Sequence, residues 1–351
     1  MEFGMFHEFP TLEERSHADA FDQALEQVDA AERWGLDAMW LGELHFAPDR
    51  SLLAAPLTIA AALAGRTRRI KLGLAVQVLP LGHPLRFAEE AATVDQVSRG
   101  RLIFGVGRSG VVRTYDTFGV PYGESRERFI ETLEIIRLAW TRPSFSYSGK
   151  YFRFEEVAVV PRPYQAPHPP IRVAANTADT FPMIGTLGYP MFASARHVTW
   201  DELGPLVRAY REAYRAAGHP GEGAVFVSAP TYLAASDAQA AAEAEPSIMA
   251  FYRYQARLLA DSAARSGTVA AARASRAERL RTMTFAQAAS RHAVVGAPDA
   301  VARRLRELKD ELGLDGILAE LNCGGLIPHP KVMNALRLLC DEVMPRFRSQ
   351  P

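Results

Sequence analysis

Short apolar runs alternate with amphipathic helical patterns along almost the whole chain of 351 residues. Several runs, such as Leu72-Gly73-Leu74-Ala75-Val76, are apolar at nearly every position, which is typical of parallel strands buried on both faces. Eight strands are predicted, at residues 2–6, 38–41, 71–78, 102–106, 171–174, 190–193, 224–227 and 316–320. Helices are predicted at 18–34, 84–98, 124–141, 200–217 and 297–312. The eightfold alternation favours a closed (β/α)8 TIM barrel over an open sheet, with one domain over residues 1–351.

Two segments interrupt this alternation. Residues 144–163 are predicted to form a β-hairpin insertion that turns at Ser148-Gly149. Residues 261–292 are rich in Ala, Arg and Ser, and their periodicity is weak. They form either a long loop or loose helix that acts as a mobile lid before the last strand, or an ordinary solvated helix. In the helix at 124–141, Ser125 is expected to be the N-cap.

The charge balance and the cysteine content exclude several kinds of protein. Lys and Arg total 40, as do Asp and Glu, so nothing indicates a nucleic-acid-binding surface or a basic membrane patch. The two cysteines, Cys323 and Cys340, are too few and too badly spaced for a disulfide framework or a zinc site. Together with an N-terminal sequence unlike a signal peptide, this predicts a cytoplasmic protein.

The residues that follow the predicted strands are the first candidates for a site, because such barrels carry their active sites at the C-terminal ends of the strands. Arg108 follows the fourth strand, Asn176, Thr177 and Thr180 follow the fifth, and Ser194 follows the sixth. A guanidinium group, small hydroxyl and amide side chains and a helix N-terminus together suit a phosphate. Taken alone, Asn176 or Thr177 would more often be a helix cap.

These candidates lack a reactive centre of their own. The sequence shows no metal-ligand constellation and no nucleophile motif. The G-x-G-x-x-G string at 105–110 follows the fourth strand instead of the first, so it does not predict a dinucleotide site. The pattern favours a cofactor that does the chemistry. His45, which follows the second strand close to Glu43, is the candidate catalytic residue, and a merely structural histidine is the alternative.

The chain resembles the bacterial luciferase-like flavin monooxygenases over almost its whole length. The resemblance is carried by the order and spacing of short motifs, each of which is weak alone. They are Trp40-Leu41-Gly42-Glu43-Leu44-His45-Phe46, Leu79-Pro80-Leu81-Gly82-His83-Pro84, Asp95-Gln96-Val97-Ser98-Arg99-Gly100-Arg101, Phe104-Gly105-Val106-Gly107-Arg108, Ser125-Arg126, Pro169-Pro170-Ile171-Arg172-Val173-Ala174, Val295-Gly296-Ala297-Pro298 and Val343-Met344-Pro345.

The resemblance implies an enzyme that takes reduced FMN from a separate flavin reductase and uses molecular oxygen to oxidise a small organic substrate. It implies a non-proline cis peptide under the flavin ring between Ala75 and Val76. The positions that hold the flavin phosphate in the family correspond here to Arg108, Arg126, Asn176, Thr177 and Thr180.

One position departs from the family pattern. The catalytic luciferase subunit has two consecutive histidines, whereas this chain has Leu44 followed by His45. Two alternatives stay open: a deazaflavin-dependent oxidoreductase of the same barrel type, and a non-catalytic flavin-binding partner subunit. The non-catalytic luciferase subunit also lacks the paired arginines, and this chain has both, which favours flavin binding.

A homodimer is expected from the helix at residues 53–63. This segment is apolar around most of its circumference, which is more than one buried face requires. Its alanines allow close helix–helix approach across a two-fold axis, and the family resemblance points to the same helix together with its neighbour at 84–98.

Overall fold

Strands and helices alternate as predicted in the computed structural model, which describes residues 1–10, 16–265 and 270–348. The strands are β1 (Glu2–His7), β2 (Ala38–Leu41), β3 (Lys71–Leu74), β4 (Gln77–Val78), β5 (Leu102–Gly107), β6 (Phe145–Ser148), β7 (Arg153–Val157), β8 (Ile171–Ala175), β9 (Met191–Ser194), β10 (Val225–Leu233), β11 (Val294–Gly296) and β12 (Gly316–Glu320). The helices are α1 (His17–Trp34), α2 (Pro56–Arg66), α3 (Pro84–Ser98), α4 (Val112–Thr117), α5 (Ser125–Thr141), α6 (Thr180–Leu187), α7 (Trp200–Ala216), α8 (Asp237–Arg265), α9 (Ala270–Arg281), α10 (Phe285–Arg291), α11 (Pro298–Leu312) and α12 (His329–Leu338).

Eight of the strands close into a parallel barrel. Their order is β1, β2, β3, β5, β8, β9, β10 and β12, and β12 pairs with β1 again. In this closing register Met5 lies opposite Ala319. Because all eight strands run in the same direction, their C-terminal ends lie on one rim, and the predicted (β/α)8 barrel is confirmed. Within the described ranges, no helix is long and apolar enough to cross a bilayer.

The strand predicted at 71–78 is two strands. β3 ends at Leu74 and β4 begins at Gln77, and the Ala75–Val76 peptide bond between them is cis, as the resemblance implies. β4 pairs with β5, so the chain after the cis bond lies against the next barrel strand. The predicted hairpin is present as β6 and β7, although residues 149–152 make the connection.

Most of the described part of the segment at 261–292 is helical, with a short non-helical connection at residues 282–284, and residues 266–269 lie outside the described ranges. It comprises the end of α8, then α9 and α10. α9 packs against α8 and buries Ala277 and Leu280. The sequence left a loop or a loose helix open for this segment, and the structure shows helices. Alanine and arginine are strong helix formers, so a helix forms even though its apolar stripe is narrow.

Trp40 fills the middle of the barrel interior. Its ring lies against Gly4 and Gly73 on the two neighbouring strands, where a Cβ atom on either glycine would overlap the indole. Nearby, the guanidinium of Arg172 is held by Glu2 at 2.8 Å and lies 3.5 Å from the ring centroid of Phe226. A carboxylate and an aromatic face thus stabilise this buried arginine.

His7, the last residue of β1, ties the barrel to its outer helices. The backbone N–H of Phe9 donates to Nδ1 of His7 at 2.9 Å, so the proton of the neutral ring is on Nε2, which donates to Oε1 of Gln27 on α1 at 3.0 Å. Gln27 in turn contacts His329, the first residue of α12, at 3.1 Å. Burial lowers the pKa of His7 from 6.5 to about 4.

We therefore expect His7 to make the fold acid-sensitive between pH 6.5 and about 4. In that window the unfolded chain protonates this histidine while the folded chain does not, so stability falls as the pH falls. The pKa difference is worth about 3 kcal/mol of unfolding free energy. Urea unfolding of His7→Asn should show a flatter pH dependence than the wild type. His17→Asn, an exposed control on α1, should keep the wild-type slope; identical slopes for all three proteins would contradict the assignment.

Candidate active site

A carboxylate at the C-terminal rim joins two neighbouring strands. Glu43 follows β2, and its Oε2 accepts hydrogen bonds from Nε2 of Gln77 at 2.6 Å and from the backbone N–H of Val78 at 2.9 Å. Its Oε1 lies 2.8 Å from Nε2 of His45. The candidate catalytic histidine is therefore held against the segment that follows the cis peptide.

Two exposed phenylalanines flank His45. The ring centroids of His45 and Phe118 are 5.0 Å apart in an edge-to-face arrangement, and Phe46 lies at 5.8 Å. Phe46 is 48% exposed and Phe118 is 45% exposed. Large apolar side chains left open beside a polar pair are typical of a rim that a ligand covers.

The two arginines assigned to a phosphate are linked at the start of α5. Arg108 donates from Nη1 to Oγ of Ser125 at 3.2 Å, and Arg126 is the next residue along the helix. Arg126 forms an ion pair with Asp179 in the loop after β8. The prediction of Ser125 as the N-cap is wrong: its backbone is already helical (φ −57°, ψ −32°), the N-cap is Glu124, and the serine hydroxyl serves Arg108 instead.

The loop after β8 is tied by its own hydroxyl groups. The Thr180 hydroxyl donates to the carbonyl oxygen of Thr177 at 2.5 Å and accepts from the Thr177 N–H at 3.2 Å. Asn176 and Thr177 are exposed, and neither caps α6, whose N-cap is Asp179. The helix-cap alternative for these two residues is therefore wrong. Through Asp179, this loop lies next to Arg126.

Ser194 belongs to a different part of the rim. It ends β9 and is buried, and its hydroxyl accepts a hydrogen bond from Nε of Arg196 at 3.3 Å. This contact joins Ser194 to the charged groups of a cavity on the other side of the barrel mouth.

That cavity has a volume of about 160 Å³ and lies between the ends of β1 and β12 and the helix α8. Aromatic and aliphatic side chains, among them Phe6, Phe251, Tyr254 and Leu326, share its wall with charged and polar side chains. As far as the structure describes the wall, no site residue predicted from the sequence lines it.

Paired charges lie on one side of this cavity. Nη2 of Arg50 is 2.6 Å from Oε2 of Glu8, and Nη1 of Arg196 is 3.3 Å from both Glu8 and Glu320. Burial alone would raise the pKa of Glu8, but the two guanidinium groups hold it below its ordinary value. Burial and the charge of Glu8 raise the pKa of Glu320, whose contact with Arg196 is long. One carboxyl is thus firmly ionised and the other more easily protonated.

Gly42 connects the cavity to the Glu43–His45 pair. A Cβ atom at Gly42 would lie 3.2 Å from both Phe6 and Glu8, so these two cavity residues pack directly against the chain that carries the pair. Phe6 also belongs to the apolar cluster inside the barrel against which Ala75 and Val76 pack. The cavity, the cis peptide and the histidine are therefore adjoining parts of one region.

The helix α9 is connected to the strand end that carries Arg108. Arg273 donates from Nη2 to the Tyr122 hydroxyl at 2.9 Å, and the Tyr122 ring lies edge-on to Tyr115 at 5.1 Å. The Tyr115 hydroxyl donates to the carbonyl oxygen of Arg108. This chain of contacts places α9 on the side of the arginine pair.

The cavity was not predicted from the sequence. The candidates came from the ends of the second to the sixth strands, whereas the cavity forms at the first and the last. Its signal is an acidic residue directly after the first strand, Glu8, and another at the end of the last, Glu320. Phe251 and Tyr254 come from the long helix α8 and carry no such signal.

Comparison with known proteins identifies relatives with named activities. The oxygenase component of flavin-dependent trigonelline monooxygenase from Acinetobacter baylyi is 28% identical over 259 residues, which is 72% of this chain and 71% of that protein. The alkanal monooxygenase alpha chain of Photorhabdus luminescens is 33% identical over 189 residues, 54% of this chain and 52% of that one. An uncharacterised protein of Sinorhizobium fredii, y4vJ, is 35% identical over 192 residues, 55% of this chain and 54% of that protein. The last two matches span about half of the relatives' length.

Solved structures share the whole fold. The monooxygenase RslO1 from Streptomyces bottropensis superposes with a TM-score of 0.82 at 27% identity, covering 99% of this chain and 100% of that one. The oxygenating constituent of 3,6-diketocamphane monooxygenase from Pseudomonas putida, in complex with FMN, has the same fold, with a TM-score of 0.81 at 21% identity and coverage of 99% and 98%. The family model described as luciferase-like monooxygenase matches residues 1–316. This chain belongs to the luciferase-like monooxygenase family.

Proposed function

We propose that this chain is the oxygenase component of a two-component, FMN-dependent monooxygenase. It receives reduced FMN from a separate flavin reductase and uses O2 to oxidise a small organic molecule. One oxygen atom enters the substrate and the other leaves as water, with two electrons supplied by reduced FMN. The names of the trigonelline and alkanal monooxygenase relatives support this reading.

The observation that carries the proposal is the linkage of Arg108, Arg126 and the Thr177–Thr180 turn at the start of α5. Two guanidinium groups, hydroxyl groups and the N-terminus of a long helix are donors suited to a phosphate. We assign the FMN phosphate to Arg108, Arg126, Asn176, Thr177 and Thr180. We assign the ring to the Ala75–Val76 segment and propose Ser194 as a further flavin contact.

We assign the substrate to the cavity of about 160 Å³. A closed apolar cavity of about 150 Å³ takes up benzene, so this volume can hold a compound of about one ring. A substrate without polar groups would cover the charges of Glu8 and Glu320 and leave them less well hydrogen-bonded, at a cost of about 1–3 kcal/mol. We therefore propose a compact ring compound that carries a polar group, with His45 as the candidate catalytic residue.

A homodimer through α2 and α3 is proposed as well. The face of α2 turned away from the barrel carries the exposed Thr58 and Ala62 and the half-buried Ile59 and Ala61, a surface of small and apolar side chains. Such a surface suits close packing against a second copy. Sedimentation of the protein as a monomer only, at micromolar concentration, would contradict this.

The phosphate assignment predicts opposite effects of two substitutions on FMN affinity. Arg108→Ala should raise the Kd for reduced FMN roughly ten- to a hundredfold, because a charge-assisted hydrogen bond contributes about 1.5–3 kcal/mol. Asp179→Asn should lower the Kd by a few fold, since the free protein then no longer neutralises Arg126. Anaerobic titration measures both, with a deazaflavin as the second ligand.

Arg113→Ala, which removes an exposed arginine from the adjacent helix α4, is the matched control and should bind as the wild type does. Equal Kd values of Arg108→Ala and Arg113→Ala for reduced FMN would refute the assignment of Arg108 to the phosphate. Tighter binding of the deazaflavin than of FMN would favour the deazaflavin alternative.

The cavity assignment predicts which substrates are oxidised. Trigonelline and other single-ring polar compounds should support product formation with FMN and a reductase, whereas long-chain alkanals should not. Ala250 lines the cavity, so Ala250→Trp should abolish product formation and leave the Kd for FMN unchanged. Ala260→Trp, on the exposed face of the same helix, should be active. Turnover of alkanals at an equal rate, or an active Ala250→Trp variant, would refute the assignment.

The contacts of α9, which is the middle part of the segment at 261–292, support the expectation that this segment is a lid over the flavin. Saturating FMN should slow tryptic cleavage after Arg273, Arg276, Arg279 and Arg281, since opening of α9 separates Arg273 from Tyr122. The measurement is the cleavage rate with and without FMN. In Arg108→Ala, which binds FMN poorly, the protection should be lost at the same FMN concentration. Protection of the wild type and the variant to the same extent would show that α9 does not respond to the flavin.

A further inference from the structure

The Glu43 carboxylate is a buried acceptor that three donors share. Its side chain is 4% exposed, and it receives hydrogen bonds from His45, Gln77 and the Val78 backbone at 2.8, 2.6 and 2.9 Å. Two of these donors belong to β4, which directly follows the cis peptide. The donors on β4 therefore fix the position of the Glu43 carboxylate, and this carboxylate in turn fixes the position of the His45 ring.

This arrangement decides which nitrogen of His45 carries the proton. An ionised carboxylate accepts hydrogen bonds and donates none. Nε2 of His45, at 2.8 Å from Oε1, must therefore carry a proton, and in the neutral ring Nδ1 holds the lone pair. Among the described residues Nδ1 has no hydrogen-bond partner. Phe118 and Phe46 pack against the ring and restrict its rotation.

We infer that Glu43 is a positioning residue that holds His45 as the Nε2–H tautomer and presents its Nδ1 lone pair to the reaction site. This rests on the proposed function, in which His45 acts on the substrate or on a proton of the reaction. The Glu43–His45 pair thus provides a proton acceptor, Nδ1 of His45, although Leu44 occupies the position of the first histidine in the family motif.

The substitution Glu43→Gln tests the inference because the strand dictates how the new amide must sit. The Val78 N–H and the Gln77 amide both donate toward the position of Oε2, so the amide oxygen of the variant has to occupy it. Its NH2 group then faces His45 and needs an acceptor on Nε2. The proton of the neutral imidazole should therefore move to Nδ1, and the lone pair on that atom is lost.

The measurement is ¹⁵N NMR of histidine-labelled protein without FMN, at a pH where His45 is neutral. The wild type should show a protonated Nε2, and Glu43→Gln should show a protonated Nδ1 at His45. With FMN, reductase and substrate, kcat should fall roughly 100-fold in the variant, as when a general base is lost, with the FMN Kd unchanged. Glu26→Gln is the matched control, since Glu26 holds His329 in the same way at 2.9 Å on the outside of the barrel. It should keep the wild-type kcat.

A protonated Nδ1 in the wild type, or the same tautomer in both proteins, would overturn the inference. An unchanged kcat in a variant whose tautomer has switched would overturn the role of Nδ1. If the wild type oxidises nothing with FMN, the proposed function fails, whereas the NMR result on the free protein still decides the positioning role of Glu43.

Discussion

The pairing of β12 with β1 is the contact on which the rest of the structure depends. It converts a row of strands into a closed ring and places the C-terminal ends of the first and the last strand side by side. Glu8 and Glu320 can share Arg196 only because this pair closes. The parallel pairing of β5 with β8 places Arg108 and Asp179 at the same rim, where Arg126 from α5 meets Asp179. Parallel strand direction makes these meetings unavoidable, because every strand ends on the same side.

Buried ion pairs lie at both ends of this barrel. In the interior Arg172 is matched by Glu2, and at the mouth Arg50 and Arg196 are matched by Glu8 and Glu320. Removing one partner of such a set leaves an uncompensated charge in a poorly solvated place, which is far more damaging than losing an exposed pair. The charged side of the cavity is therefore a rigid, polar surface that any ligand has to match.

The order of apolar residues predicted the barrel strands and the main helices. A strand buried on both faces is apolar at nearly every position, and a helix buried on one face has apolar residues three or four positions apart. The short motifs around residues 75–76 and 108 added the cis peptide and the arginine pair by resemblance. Contacts between side chains from different strand ends produce no local pattern in the sequence. The cavity is formed by residues of β1, β12 and α8, which are far apart in the sequence. Serine is a common N-cap residue, but Ser125 lies within the first turn of its helix. For 261–292, weak periodicity left both a loop and a loose helix open, and the helix-forming propensity of alanine and arginine favours the helices that the structure shows.

The ion pair of Arg126 and Asp179 has a consequence for how an anion is taken up there. Arg126 is 42% exposed and Asp179 is 57% exposed, so the pair is wet and its partners separate at little cost. In the proposed function, an incoming phosphate would exchange with the Asp179 carboxylate, which is attached to the protein and would return to Arg126 when the phosphate leaves. Binding and release would then be the two directions of one exchange between a tethered anion and a free one. Such an exchange would favour rapid release of the bound anion over tight binding.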